Sequence, residues 1–166
     1  MKQNFKNKKA CPPSRLVGSR RGITVIEMLV IIVVIGIISL IVLPQFSKIK
    51  ENQVLKDGVA DVLSSLDKAR SQTLSSLNSS EYGVHFQSDK VIIFKGKDFS
   101  TRETAKDETI NIVTPAVMSS GTLTLPANIF FNRLSGMPST NGTVIISTSS
   151  YSKIITISAT GGASVN

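Results

Sequence analysis

An almost unbroken apolar stretch runs from Ile23 to Leu43, close to the N-terminus of this 166-residue chain. About 20 helical residues span the ~30 Å hydrocarbon core of a bilayer, so residues 23–43 are predicted to form one transmembrane helix. The stretch contains a single charged residue, Glu27. An ionised acid in such a helix costs on the order of 2.5–3.5 kcal/mol near the bilayer centre and less towards the interface. Glu27 therefore needs either contact with water at the membrane surface or a partner charge.

Basic residues are concentrated before this stretch. Residues 1–22 hold seven of the 19 Lys and Arg residues and no acid. The other 12 basic residues face 11 acids, so residues 23–166 carry only +1 of the net charge of +8. Because basic residues favour the cytoplasmic side of a membrane helix, the pattern predicts a single-pass protein of the cytoplasmic (inner) membrane, with a cytoplasmic N-terminus and an extracytoplasmic C-terminal part.

The apolar stretch differs from an ordinary secretory signal, which ends in a cleavage site of small residues. Pro44, Gln45 and Phe46 follow Leu43 and offer no such site. The single cysteine, Cys11, precedes the stretch, which argues against a lipoprotein anchor and leaves no partner for a disulfide. We therefore expect the apolar segment to be retained.

After Pro44 the sequence becomes amphipathic. Its apolar positions and one threonine recur at the three- and four-residue spacing of one helix face, at Leu55, Val59, Val62, Leu66, Ala69, Thr73 and Leu77. Residues 44–78 are therefore predicted to continue the helix outside the membrane. Gly58 weakens this helix by about 1 kcal/mol relative to Ala.

From residue 79 the periodicity changes to the alternation of β-strands. The pattern predicts a hairpin of strands at 82–87 and 91–94, a polar loop at 96–108, and strands at 109–113, 121–125, 129–131, 143–148 and 153–158. Residues 79–166 are thus predicted to form one β-rich globular domain whose antiparallel sheet packs against the helix. The predicted fold class is α+β.

The segment Arg21-Gly22-Ile23-Thr24-Val25-Ile26-Glu27-Met28-Leu29 resembles the class III signal of type IV prepilins and type II secretion pseudopilins. The shared features are a basic leader, a glycine, and an apolar helix with Glu as its fifth residue. The resemblance implies a pilin-like fold, with a long N-terminal helix packed on a C-terminal antiparallel sheet. It also implies that the membrane prepilin peptidase removes residues 1–22 by cutting between Gly22 and Ile23, and that Ile23 is then N-methylated.

The same resemblance gives roles to three residues of the apolar helix. In the family, the fifth-residue Glu is thought to meet the new α-amine of a neighbouring subunit, which assigns Glu27 to assembly. Such a buried pair mainly enforces register, because desolvation offsets much of its attraction. Gly36 and Pro44 stand where many type IV pilins have residues bounding a segment that loosens in the filament. Proline removes a backbone donor, so a kink or local melting near residues 40–44 is predicted, although Pro44 also marks the membrane exit.

Later segments are similar to the GspH/FimT-type minor pilins and pseudopilins. These segments are Leu66-Asp67-Lys68-Ala69-Arg70-Ser71-Gln72 in the helix, Ile129-Phe130-Phe131-Asn132-Arg133-Leu134-Ser135-Gly136, Gly142-Thr143-Val144-Ile145-Ile146, and Ile154 through Gly162. The glycines at 136, 142 and 161 are predicted to serve turns.

Residues suited to catalysis are sparse. His85, the only histidine, lies on a strand pattern and is predicted to face solvent. The sequence shows no His, Cys and carboxylate cluster with metal-ligand spacing, and its serines and threonines lack a base that would activate them. The chain is therefore predicted not to be an enzyme, with no catalytic residue, metal or cofactor.

Three functions remain open from the sequence. The first is a structural subunit of a type IV pilus or type II secretion pseudopilus, serving protein secretion, adhesion or motility. Its partners would be the prepilin peptidase, other pilin or pseudopilin subunits, the inner-membrane assembly platform and, before assembly, membrane lipid. After assembly it would lie in a cell-surface or periplasmic filament.

The second function is a minor pilin that binds DNA during natural transformation. The net charge of +1 over residues 23–166 argues against it, because affinity for DNA depends on several phosphate contacts. Basic residues between Lys90 and Lys106 are balanced by acids in the same segment. The third function is a membrane-anchored β-domain or anchored enzyme that never polymerises, which predicts an uncut N-terminus.

Overall fold

The computed structural model describes residues 22–166 and confirms the mixed α and β layout. One helix, α1, spans Val25–Leu74. A 3-10 turn follows at Leu77–Ser79, so α1 ends before the predicted end at residue 78. The helix ends there because Ser76 and Asn78 adopt left-handed backbone angles with φ of 51°, which cannot continue a right-handed helix.

The described chain divides into two compact units at Leu40 and Ile41. Residues up to Leu40 contain the first part of α1, and residues 41–166 contain its second part together with the β-strands. Residues 1–21, which are the predicted leader without Gly22 and include Cys11, lie outside the described residues.

Eight strands form two antiparallel four-stranded sheets within the described chain. The first sheet has the order β3-β2-β1-β5 and the second has the order β4-β6-β7-β8. The strands are β1 (Tyr82–Phe86), β2 (Lys90–Lys95), β3 (Glu108–Asn111), β4 (Val117–Ser120), β5 (Ala127–Phe130), β6 (Gly142–Ser147), β7 (Ser152–Ile157) and β8 (Ala163–Val165).

The strand predictions are confirmed for β1, β2, β6 and β7, and are close for β3 and β5. The predicted strand at 121–125 is wrong, because the strand lies just before it, in β4. Residues 121–125 instead form a turn in which the backbone N–H of Thr122 donates to Thr143 Oγ1 at 2.9 Å. The short strand β8 was not predicted, and the β-domain contains two sheets where one was expected.

One face of the second part of α1 packs into a core that it shares with both sheets. The predicted positions from Leu55 to Thr73 are all buried, whereas Leu77 is 44% exposed and was wrongly placed on this face. The helix shares one apolar core with Val84 and Phe86 of the first sheet and with Ile146 and Ile155 of the second. Each fully buried side chain of this size stabilises the fold by about 1.5–3 kcal/mol.

Two polar side chains fasten the C-terminal part of α1 to the β-domain. Thr73 is fully buried, and its Oγ1 accepts a hydrogen bond from the backbone N–H of Tyr82 at 2.9 Å. Arg70 donates to the carbonyl oxygens of Gly136 and Thr160. The helical and C-terminal segments that carry the family resemblance therefore meet at Arg70.

Candidate functional site

The predicted processing site lies at the start of the described chain. Gly22 is exposed, and a Cβ atom added to it would meet nothing within 4 Å. Ile23 is 68% exposed. Packing within residues 22–166 therefore does not require a glycine at position 22, whereas a peptidase that needs unhindered backbone before the cut would require one.

Glu27 lies in the first turn of α1, where Thr24 caps the helix. The backbone N–H of Glu27 donates to Thr24 Oγ1 at 3.3 Å, and the N–H of Met28 donates to the carbonyl oxygen of Thr24 at 3.2 Å. Thr24 and Glu27 occupy the N-cap and N3 positions of a capping-box sequence, T-x-x-E. This role of Thr24 was missed in the sequence analysis, although the three-residue spacing was visible there.

A carboxylate at this place also interacts favourably with the helix dipole, whose positive end is the N-terminus. Within residues 22–166, Glu27 forms no ion pair with a basic side chain. The Glu27 carboxylate lies in the first helical turn, four residues after Ile23.

The first part of α1 exposes its apolar side chains on all sides. Residues 22–38 are all exposed, with values such as 87% for Val25 and 65% for Ile32. By length and composition, α1 contains one segment able to cross a membrane, with a mean hydropathy of 3.2. An apolar surface of this extent is unfavourable in water and favourable in lipid or against other apolar helices.

Gly36 and Pro44 both lie inside α1, which the structure assigns as helical across them. A Cβ atom at Gly36 would meet nothing within 4 Å, so this glycine is not required by packing within the described chain. The predicted kink or local melting near residues 40–44 stays a prediction.

His85 was predicted to face solvent, and this prediction is wrong. Its residue exposure is 5%. Its Nδ1 pairs with Asn128 Oδ1, and its Nε2 lies 2.9 Å from Gln87 Nε2. These partners fit a neutral imidazole that donates from Nδ1 and accepts at Nε2. Both ring nitrogens are therefore already engaged by side chains.

His85 is buried because the loop at 96–107 folds over the outer face of the first sheet. The ring of Phe99 stacks on the imidazole with centroids 3.6 Å apart. The guanidinium carbon of Arg102 lies 3.5 Å from the centroid of the same Phe99 ring, which places it on the opposite face. Arg102 also donates from Nε to Asp107 at 2.6 Å. The segment predicted to be a polar loop therefore packs over His85, and we call residues 96–107 the cover.

Three basic side chains of this region lie beside carboxylates. Nζ of Lys95 lies 3.2 Å from Glu103, and Nζ of Lys97 lies 3.7 Å from Glu81. Arg102 pairs with Asp107, as described above. A DNA phosphate would have to compete with these acids for the basic side chains, which argues against tight DNA binding at this surface.

Residues 22–166 contain no group of three or more His, Cys, Asp or Glu side chains that could hold a metal ion. No protein-family model, curated protein or solved structure matches the chain. A functional assignment therefore depends on the sequence motifs and on the geometry of the described residues.

Proposed function

We propose that this chain is a minor pilin or pseudopilin of the GspH/FimT type. It is a structural subunit that the prepilin peptidase processes and that assembles into a type IV pilus or type II secretion pseudopilus. The observation that carries the proposal is a single helix with two different surfaces. Its first part is apolar and exposed with one carboxylate in the first turn, and its second part is packed into a β-domain.

Processing would create the charge that Glu27 needs. Cleavage after Gly22 leaves an α-amine on Ile23, and an α-amine is largely cationic at neutral pH. In an apolar surrounding, this cation and the Glu27 carboxylate of a neighbouring subunit would each be desolvated and unpaired unless they formed an ion pair with each other. The pair would therefore fix the axial register of one subunit on the next.

The same helix accounts for the proposed location. Before assembly the exposed apolar side chains from Val25 onward would lie in the inner membrane, with residues 1–22 in the cytoplasm and the β-domain outside. During assembly the platform in the membrane would transfer this helix from lipid to the apolar helices of other subunits. The proposed role requires no catalytic group, and both ring nitrogens of His85 are held by hydrogen bonds to side chains.

Substitutions of Glu27 test the assembly role. Glu27→Gln keeps a side chain suited to the capping box but removes the charge, whereas Glu27→Ala removes both. We expect both variants to lose residues 1–22 normally and to be absent from sheared filaments. Ser39→Ala is the matched control, because Ser39 Oγ donates only to the carbonyl oxygen of Ile35 in the same helix. Normal incorporation of Glu27→Gln would contradict the ion-pair role.

The DNA-binding alternative has a separate test. The chain purified from membranes after removal of residues 1–22, which carry seven basic residues and no acid, would be passed in detergent over duplex DNA at low and moderate salt. Because Lys95, Lys97 and Arg102 lie beside acids and residues 23–166 carry a net charge of only +1, we expect no salt-dependent retention. Retention that falls steeply with salt would favour the DNA-binding function.

A further inference from the structure

Leu134 combines two unusual properties. It is 91% exposed, and its backbone φ is 70°, in the left-handed region. A branched apolar residue is disfavoured there because its Cβ crowds the following carbonyl oxygen, and glycine or asparagine normally takes such positions. The chain therefore holds a large apolar side chain in solvent at a cost in backbone energy.

The loop that carries Leu134 is firmly held. The backbone N–H of Asn132 donates to the carbonyl oxygen of Met137 at 2.8 Å, and the N–H of Gly136 donates back to Asn132 at 2.9 Å. Nη1 of Arg133 donates to the carbonyl oxygen of Ser79 at 2.9 Å. Strained residues persist where the surrounding structure fixes them, and they cluster at functional positions.

Other apolar side chains lie beside this loop. Met137 is 50% exposed and Leu74 is 45% exposed. A Cβ atom built on Gly136 would lie 3.0 Å from a methyl carbon of Leu74, so the end of α1 and the loop belong to one surface. We call this surface, formed by Leu74 and residues 133–137, the Leu134 surface.

Arg133 on the Leu134 surface and Arg70 beside it are both basic. Arg133 is exposed, and Arg70 approaches the loop from α1 through its bond to Gly136. Within residues 22–166 neither guanidinium forms an ion pair with a carboxylate. Glu81, the acid nearest in sequence to Ser79, is paired with Lys97.

We propose that the Leu134 surface docks into an apolar pocket rimmed by acidic residues on a different protein chain. Leu134 would fill the pocket, and Arg133 would meet the acidic rim. A symmetric contact with a second copy of this chain fits poorly, because it would bring the same arginines together. Insertion into lipid would not require the loop that carries Leu134 to hold a fixed backbone conformation, whereas docking into a shaped pocket would. The inference does not depend on the proposed filament role.

Site-specific photocrosslinking tests the proposal in the full chain in its native membrane. A benzophenone amino acid would replace Ser135, an exposed neighbour of Leu134, and the adducts would be mapped by mass spectrometry to a partner peptide. We expect one adduct with a different protein, at a peptide that contains apolar and acidic residues. Leu134→Asn should lower its yield by about tenfold or more, and Arg133→Gln should lower it as well.

Two controls keep the outcome clear. Val117→Asn removes an exposed apolar residue from β4, outside the Leu134 surface, and should leave the yield unchanged. Leu134→Gly should raise the melting temperature while abolishing the adduct, because glycine adopts a positive φ without strain. The proposal is overturned by adducts that Leu134→Asn leaves unchanged, by adducts only with lipid or with a second copy, by the absence of an adduct, or by a lower melting temperature of Leu134→Gly.

Discussion

Arg70 donates a hydrogen bond from Nε to the carbonyl oxygen of Gly136 at 3.2 Å. Its Nη2 donates to the carbonyl oxygen of Thr160 at 3.0 Å. One side chain of α1 thereby holds two loops that are 66 and 90 residues away in the sequence. The planar guanidinium suits this task because its donors point in fixed directions.

Arg70→Ala should lower the free energy of unfolding by about 2 kcal/mol, because it removes two charge-assisted hydrogen bonds at a half-buried site. Arg70→Lys should recover less than half of the loss, since one ammonium cannot reproduce both bonds. Urea denaturation of the full chain in mild detergent would measure the change. Lys68→Ala is the control, because its ion pair with Glu108 is exposed and should change stability by less than about 1 kcal/mol. Equal effects of the two alanine variants would contradict this role of Arg70.

Gly161 should not tolerate a side chain. Its φ is 85°, and an added Cβ atom would collide with the carbonyl oxygen of Gly136 and approach Arg70 Nε to 3.0 Å. Gly161→Ala should therefore lower the free energy of unfolding by more than about 2 kcal/mol. Gly162→Ala is a matched control, because its Cβ atom would lie at an ordinary 3.4 Å from Ser158 Oγ. A neutral Gly161→Ala would show that the loop contact is not required for stability.

Gly58, in contrast to Gly161, should tolerate a side chain. A Cβ atom there would lie 3.6 Å from Ile112 and 3.9 Å from Ile146, which are ordinary contacts. Gly58→Ala should raise the free energy of unfolding by about 0.5–1 kcal/mol, because alanine favours the helix and adds buried apolar contact. Gly83→Ala should lower it, since its Cβ atom would lie 2.6 Å from Phe94 Cζ. Thermal melts would measure the change in melting temperature of both variants. A lower melting temperature of Gly58→Ala would contradict the packing of Gly58 against Ile112 and Ile146.

The cover over His85 should depend on Phe99. Phe99→Ala removes the ring that lies between His85 and Arg102. We expect faster amide hydrogen exchange over residues 97–106 and at most a small change in global unfolding, because the exposed loop contributes little to the central core. Lys106→Ala, an exposed substitution in the same loop, should leave exchange unchanged. Unchanged exchange in Phe99→Ala would mean that backbone contacts alone hold the cover.

The sequence predicts the local parts of this fold well. The buried face from Leu55 to Thr73 follows from helical spacing, because burial on a helix repeats every three to four residues. The hairpin of β1 and β2 follows from alternation and a short polar turn. Glu27 lies in the first turn of the helix that the apolar stretch predicts, whereas the processing and assembly roles of Gly22, Ile23 and Glu27 stay predictions.

The contacts that the sequence could not predict are distant along the chain. Alternation correctly places His85 on the opposite side of β1 from Val84, but only the fold shows that Phe99 covers that side. β8 has three residues and is fixed by pairing with β7, so its own composition carries little signal. The conformation of Leu134 follows from the hydrogen-bonded loop around it.

The intact mass of the chain, purified from membranes of cells with and without the prepilin peptidase, shows whether the chain is processed as a prepilin. With the peptidase present, we expect a chain that begins at Ile23 and lacks residues 1–22, with or without one added methyl group. Without the peptidase we expect the full-length chain. A full-length chain in both strains would contradict the proposed processing and would favour a membrane-anchored β-domain that never polymerises.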